Sequence, residues 1–184
     1  MSSLKNKFYL LTWVFILSTM FTSCGKEEIL LKCDTCFVNA YINGISWQAD
    51  KLHAFYFETN EMNILAFSFD LFQNVREQIS FQKLRPEVGT FRIVDRSKLS
   101  IQSDEIIGTF STKLSDGDVL GGIYKVINEE ESFLLLDNVD LENDIVEGRF
   151  QMSLVKVDDP DPSIGFPDTV RITRGIFRAD IRRE

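Results

Sequence analysis

The chain has 184 residues, 28 acidic side chains against 20 basic ones, and a formal net charge of −8. Phosphate binding needs a basic face, so this balance argues against nucleic acid as a partner. The 16 phenylalanines, with the Val and Ile content, favour strands over helices, and a lone histidine leaves few options for nucleophilic catalysis.

Lys5 and Lys7 precede an apolar run from Phe8 to Phe21, which leads into Thr22-Ser23-Cys24. A basic start, a short apolar run and small residues before a cleavage point mark a secretory signal. The run is about 14 residues, whereas a spanning helix takes roughly 20. Cys24 at the boundary favours a lipoprotein signal over an ordinary cleaved signal or a signal anchor. Its thiol is the expected lipid attachment point. Each buried CH₂ adds about 0.8 kcal/mol, so two or three acyl chains anchor where one does not.

The expected organisation is a signal peptide over 1–23, a lipidated tether over 24–36 and a single all-β domain over 37–184. Removing residues 1–23 takes away Lys5 and Lys7 and no acid. That leaves 18 basic against 28 acidic side chains, a net charge of −10. The cleavage region resembles the bacterial lipobox, with Phe21 where Leu is usual. Cys24-Gly25-Lys26-Glu27-Glu28 is similar to the export tag of surface-displayed lipoproteins of the Bacteroidota. The resemblance implies a bacterial outer-membrane protein, lipid-anchored and surface-exposed. A solvated charged tether on a domain facing the periplasm is the alternative.

With Cys24 acylated, Cys33 and Cys36 are the remaining thiols. In an oxidising envelope compartment they are expected to form a local disulfide. A redox site would need a βαβ setting that is absent from the pattern. Zinc would need more ligands than one C-x-x-C and the distant His53.

Phe37 to Ile42 reads as a strand, and Asn43-Gly44 as a two-residue hairpin turn into Ile45 to Ala49, because both residues tolerate positive φ. Trp47 is expected in the core. Leu52 to Glu58 and Met62 to Asp70 form the next pair. In the second, Leu65, Phe67 and Phe69 share one face and Ile64 and Ala66 the other, so the strand is covered on both sides or offers a face to a partner. Gln78 to Gln82, Thr90 to Val94, a weak segment at Ile101 to Ser103, Ile106 to Thr112, Val119 to Ile127 and Ser132 to Asp140 follow. Gly121-Gly122 predicts a bulge or bend inside its strand.

Over residues 145–157, Val146, Gly148, Phe150, Met152 and Leu154 alternate with Glu147, Arg149, Gln151 and Ser153, which gives one buried and one wet face. In the last strand the apolar phase flips between Ile172 and Phe177, which predicts a bulge at or near Gly175. Arg178 and Arg182 then point outward. Strands at this spacing make an antiparallel β-sandwich or a partly closed β-barrel of roughly 9–11 strands.

A Gly-x-Phe step recurs at Gly89-Thr90-Phe91, Gly108-Thr109-Phe110, Gly148-Arg149-Phe150 and Gly175-Ile176-Phe177. It reads as a strand device, a glycine for close approach beside a core aromatic. Together with Asn43 to Trp47 and the closing strand pair, these steps resemble a family of Bacteroidota lipoproteins. The family implies an exported all-β domain and supplies no activity and no active-site residues.

No catalytic constellation stands out, so the expected function is a non-catalytic binding or interaction module. His53 is in phase with Phe55 and Phe57, as a packed or rim residue is. No nucleophile elbow, phosphate loop or H-E-x-x-H is present. Asp158-Asp159-Pro160-Asp161-Pro162, ending at Pro167-Asp168, is the concentrated acidic feature. Its Asp158, Asp159, Asp161 and Asp168 are calcium candidates in a spacing unlike the EF-hand. Otherwise no cofactor or metal is expected. The same loop, through Asp158, Asp161, Phe166 and Asp168, is the candidate contact surface. The partners expected are the membrane through Cys24 and a glycan or envelope protein. A lipocalin-like carrier of a small apolar ligand inside the barrel is the alternative.

Overall fold

Asn43 and Gly44 both take positive φ, 51° and 83°, and close a two-residue hairpin between β1 (Phe37–Ile42) and β2 (Ile45–Gln48). The computed structural model describes residues 35–99, 104–114, 119–158 and 167–184. Nine further strands follow: β3 (Lys51–Tyr56), β4 (Met62–Phe69), β5 (Val75–Leu84), β6 (Gly89–Val94), β7 (Glu105–Lys113), β8 (Leu120–Val126), β9 (Phe133–Asp140), β10 (Ile145–Asp158) and β11 (Thr169–Arg183). All eleven belong to one compact unit, Cys33–Glu184. The weak segment at Ile101–Ser103 lies outside the described residues. β5 runs ten residues, twice the length its Gln78–Gln82 core suggests.

The strands form one sheet in the order β2-β1-β11-β3-β4-β5-β7-β6-β9-β10-β8, with β10 also on β11 and β7 also on β8. The pairings therefore close into a ring, from β11 through β3, β4, β5, β7, β6, β9 and β10 back to β11. Between β7 and β10 the wall has two routes. β6 and β9 bridge them in one half of the barrel, and β8 bridges them in the other. Most pairs are antiparallel, as expected. Two are parallel, β3 with β11 and β6 with β7. The β3–β11 pair closes the ring and joins strands more than a hundred residues apart.

β10 buries Val146, Gly148, Phe150, Met152 and Leu154, the face its alternation predicts. β11 carries its bulge at Thr173–Arg174. Phe150 faces Gly175 and Met152 faces Ile172, so β11 spends one extra residue there. Arg174 takes the left-handed conformation, φ 52°, and the buried phase switches from Val170 and Ile172 to Phe177, Ala179 and Ile181. Arg178 points outward and pairs with Glu147 on β10. The second expected bulge falls at Gly121, where Thr112 faces Gly122 but Lys113 faces Leu120.

Two of the Gly-x-Phe steps interlock. Across the β10–β11 ladder Gly148 faces Phe177 and Phe150 faces Gly175. Each ring thus lies over the glycine of the other strand. The same rings meet the far wall: Phe81 of β5 is 5.1 Å from Phe150, which is 6.4 Å from Phe177. β5 and β10 are not sheet neighbours, so this contact crosses the interior. Aromatic side chains fill this half of the ring, each burying enough surface to contribute about 1.5–3 kcal/mol. β4 turns Ile64 and Ala66 to that core and leaves Leu65, Phe67 and Phe69 half-buried on the outer wall. Of the two options its pattern allows, an outward apolar face is the one observed.

The mouth of the barrel as a candidate functional site

Strand registers gather four loops at one end. Phe69 faces Val75, Glu77 faces Thr112, Lys113 faces Leu120, Ile123 faces Asp158, Val155 faces Thr169, and Ile172 faces Ile42. The β1–β2, β4–β5, β7–β8 and β10–β11 connections therefore share this end, the mouth. The chain enters from the other half. Phe37 pairs with Arg178, and the Cys36 Sγ accepts a hydrogen bond from the Asp180 N–H at 3.2 Å.

Two of these loops, β1–β2 and β4–β5, are fastened by side-chain hydrogen bonds. Asn43 Oδ1 accepts from the Arg171 N–H at 2.8 Å and its own N–H reaches the Arg171 carbonyl at 2.9 Å, so the hairpin tip is fastened to β11. In the β4–β5 loop, Asp70 Oδ1 accepts from the N–H groups of Phe72 and Asn74 at 2.8 and 2.9 Å. These bonds leave Leu71 97% and Phe72 83% exposed, and Ile45 beside the hairpin tip is 74% exposed. A flexible loop would fold large apolar side chains against itself. This one is built to display them.

The Asn74 N–H, and with it the Phe72 N–H, hold the Asp70 carboxyl below its ordinary value of 3.8. A carboxylate depressed by folding stabilises above the unfolded value, and that contribution is lost as pH falls through the lower, folded one. The loop is expected to stay ordered through the mildly acidic range and to loosen below pH 3.8. Amide exchange at Phe72 and Asn74 measures this. Protection that already disappears at pH 5 would rule out Asp70 as the clasp.

Inside the rim lies a cleft of about 360 Å³. Glu77, one of its lining residues, is held from behind: the Trp47 indole Nε1 donates to Glu77 Oε2 at 2.6 Å, and Ser68 Oγ donates to the same oxygen at 3.0 Å. β2 and β5 are not sheet neighbours, so this bond spans the barrel where no strand does. Trp47 is buried in the core, as its sequence setting suggests. Phe110 and Tyr124 form the wall, with ring centres 5.4 Å apart, and the Tyr124 hydroxyl donates to the Pro167 carbonyl at 2.9 Å. Among the described residues, Asn43, Arg76, Thr112 and Lys113 supply the other polar side chains.

The residues expected from sequence are distributed differently. Cys24, Cys33, Asp159, Asp161 and Phe166 lie outside the described residues. Cys36 is disulfide-bonded, and its partner lies outside them too, since Cys36 is the last cysteine in the chain. Asp158 ends β10. Asp168 takes the Lys156 ammonium at 3.4 Å, and its carbonyl accepts from the Lys156 N–H at 2.8 Å. Among the described residues no group of three or more His, Cys, Asp or Glu side chains is placed to hold a metal. His53 stands on the outer wall, its ring 5.7 Å from Phe55 and 6.2 Å from Phe67, away from the mouth.

Sequence reasoning missed the cleft residues and the displayed pair. A signal for the latter was available: Leu71-Phe72 sits between turn-forming Asp70 and Asn74, where solvent-facing loops are ordinarily polar. The chain matches no family model, no curated protein and no solved structure.

Proposed function

We propose that this chain is a lipid-anchored lipoprotein of the bacterial outer membrane and a non-catalytic binding module whose contact surface is the barrel mouth. The observation that carries this reading is the rigid display of Leu71 and Phe72, 97% and 83% exposed, beside the cleft. Adjacent exposed apolar residues on an ordered loop act as anchors for an apolar pocket on a partner protein. A glycan platform would instead use a flat aromatic face, so an envelope protein is the favoured partner. Cys24 supplies the anchor, and the domain faces outward from the cell.

The carrier reading has one supporting observation, the cleft itself. Because Phe81, Phe150 and Phe177 fill the ring below it, a carried ligand would occupy the mouth rather than a central cavity.

A photoreactive phenylalanine at position 71 tests the module reading in intact cells. A discrete cross-linked adduct is expected from this position. None is expected from the same probe at Val88, exposed in the β5–β6 turn at the opposite end. Phe72→Ser should abolish the adduct, and Cys24→Ala should release the protein from the membrane. Equal labelling at both ends, or none at position 71, would rule out the mouth as the contact surface.

A further inference from the structure

We propose that the mouth cleft binds a small amphipathic carboxylate, an aromatic or short aliphatic acid. Its anionic head lies at Arg76 and Lys113 and its apolar body lies against the half-buried Ile42 and Leu114. The inference rests on the mouth being the binding end and names the ligand class for it.

Size comes first. About 360 Å³ is at the lower end of small-molecule sites, which run from roughly 300 to 1,000 Å³. It accommodates one compact molecule rather than a long acyl chain.

Charge comes second. Among the described residues neither Arg76 nor Lys113 is in an ion pair. Arg76 Nη1 donates to the Leu114 carbonyl at 2.7 Å, which fixes the guanidinium and leaves its other donors for a ligand. Among the described residues Glu77 is the one acid lining the cleft, and its Oε2 accepts from Trp47 and Ser68. On the rim, Asp70 is near enough to feel the Arg76 charge, but it is engaged with its own loop. Two cations against one carboxylate leave the described lining one positive charge in excess, in a chain whose net charge is −8. A neutral apolar ligand would cover those cations without compensating them. An acid with an apolar body satisfies both parts, and a guanidinium matches a carboxylate in geometry as well as charge.

Thr112 provides the third, independent observation. It is 6% exposed, it lines the cleft from the inward face of β7, and among the described residues its Oγ1 has no hydrogen-bond partner. Buried hydroxyls are ordinarily satisfied, and each exception asks for a reason. A polar atom of a bound ligand supplies one.

Saturation-transfer NMR tests this on the full exported chain in nanodiscs, with empty discs as the blank and 4-phenylbutyrate as the probe. Saturable binding of the acid is expected, with the amide 4-phenylbutyramide at least tenfold weaker. Arg76→Gln and Lys113→Gln should each weaken the acid about three- to tenfold and leave the amide unchanged. Thr112→Val should weaken both. Thermal melts confirm that each variant folds, and because Lys113 makes no ion pair among the described residues, its variant keeps the test open if Arg76→Gln does not fold. Equal affinity for acid and amide, indifference to both cation variants, or no binding above the blank would overturn the proposal. If the adduct at position 71 forms while the acid fails to bind, the mouth stands as the contact surface and only the ligand class falls.

Discussion

Alanine at Gly148 or Gly175 is expected to cost about 3 kcal/mol or more, and alanine at Gly89 to stabilise slightly. The four Gly-x-Phe steps look alike in sequence, and their surroundings separate them. A Cβ on Gly148 would run into the backbone carbonyl of Leu135, which cannot swing aside, and would sit 2.8 Å from the Phe177 ring. On Gly175 it would lie 2.6 Å from three atoms of the Phe150 ring. That ring is wedged between Phe81 and Phe177 and has no room to retreat. Overpacking a close-packed core costs roughly 1–3 kcal/mol and occasionally more, and immovable neighbours put these two sites at the upper end. For a domain of this size that is a fall of roughly 10 °C in melting temperature.

Gly108 is intermediate, because the atom in the way is a methyl of the Ile93 side chain, which can rotate. Around Gly89 nothing lies within 4 Å and its φ is not positive. Alanine there stabilises by about 0.5 kcal/mol through the unfolded chain. Phe150→Leu combined with Gly175→Ala should recover part of the loss, since the two residues share one space, with a coupling of about 1–2 kcal/mol. Thermal denaturation of the four single variants checks the ranking. Four equal effects would mean that the glycines serve strand twist in general and not the ring-over-glycine contact.

The same comparison shows how far the sequence could be read. Period-two alternation identified the buried face of β10 because one side of that strand is wet. The phase flip between Ile172 and Phe177 located a bulge to within a residue or two. Asn43-Gly44 announced its turn because few other pairs accept two positive φ values. These are local signals, written in the order of side chains along one strand. The mouth is not local. Arg76, Thr112, Tyr124 and Val170 come from four strands whose neighbours are fixed by ring closure. That closure depends on β11 meeting β3 in parallel through only three residue pairs, Ile181 to Arg183 against Ala54 to Tyr56. No pattern within either strand specifies the other. The inward phase of Thr112 could be inferred from Gly108 and Phe110, but its missing hydrogen-bond partner depends on what stands across the barrel. The acidic tract drew attention through composition alone, and of its described members Asp168 is paired with Lys156.

Trp47→Ala is expected to be the most damaging single truncation at the mouth, at about 4 kcal/mol, within the roughly 3–5 kcal/mol range for a buried Trp or Phe. β2 pairs only with β1 among the described strands, so hydrogen-bonded backbone does not hold this part of the wall to β5. The indole takes over that task. Its ring fills the space, and its N–H ties β2 to the Glu77 carboxylate at 2.6 Å. The two contributions separate by substitution. Trp47→Phe retains most of the volume and removes the donor, leaving the carboxylate oxygen with Ser68 alone, at a cost of about 2 kcal/mol for a charge-assisted bond. Glu77→Gln retains an acceptor and loses the charge, which should cost about 1 kcal/mol. Trp47 is the one tryptophan after residue 13, so once the signal is removed its fluorescence reports this contact directly in the unsubstituted and Glu77→Gln proteins. Chemical denaturation gives the energies. If Trp47→Ala cost less than about 1 kcal/mol, the barrel would be shown to close at the mouth without its plug.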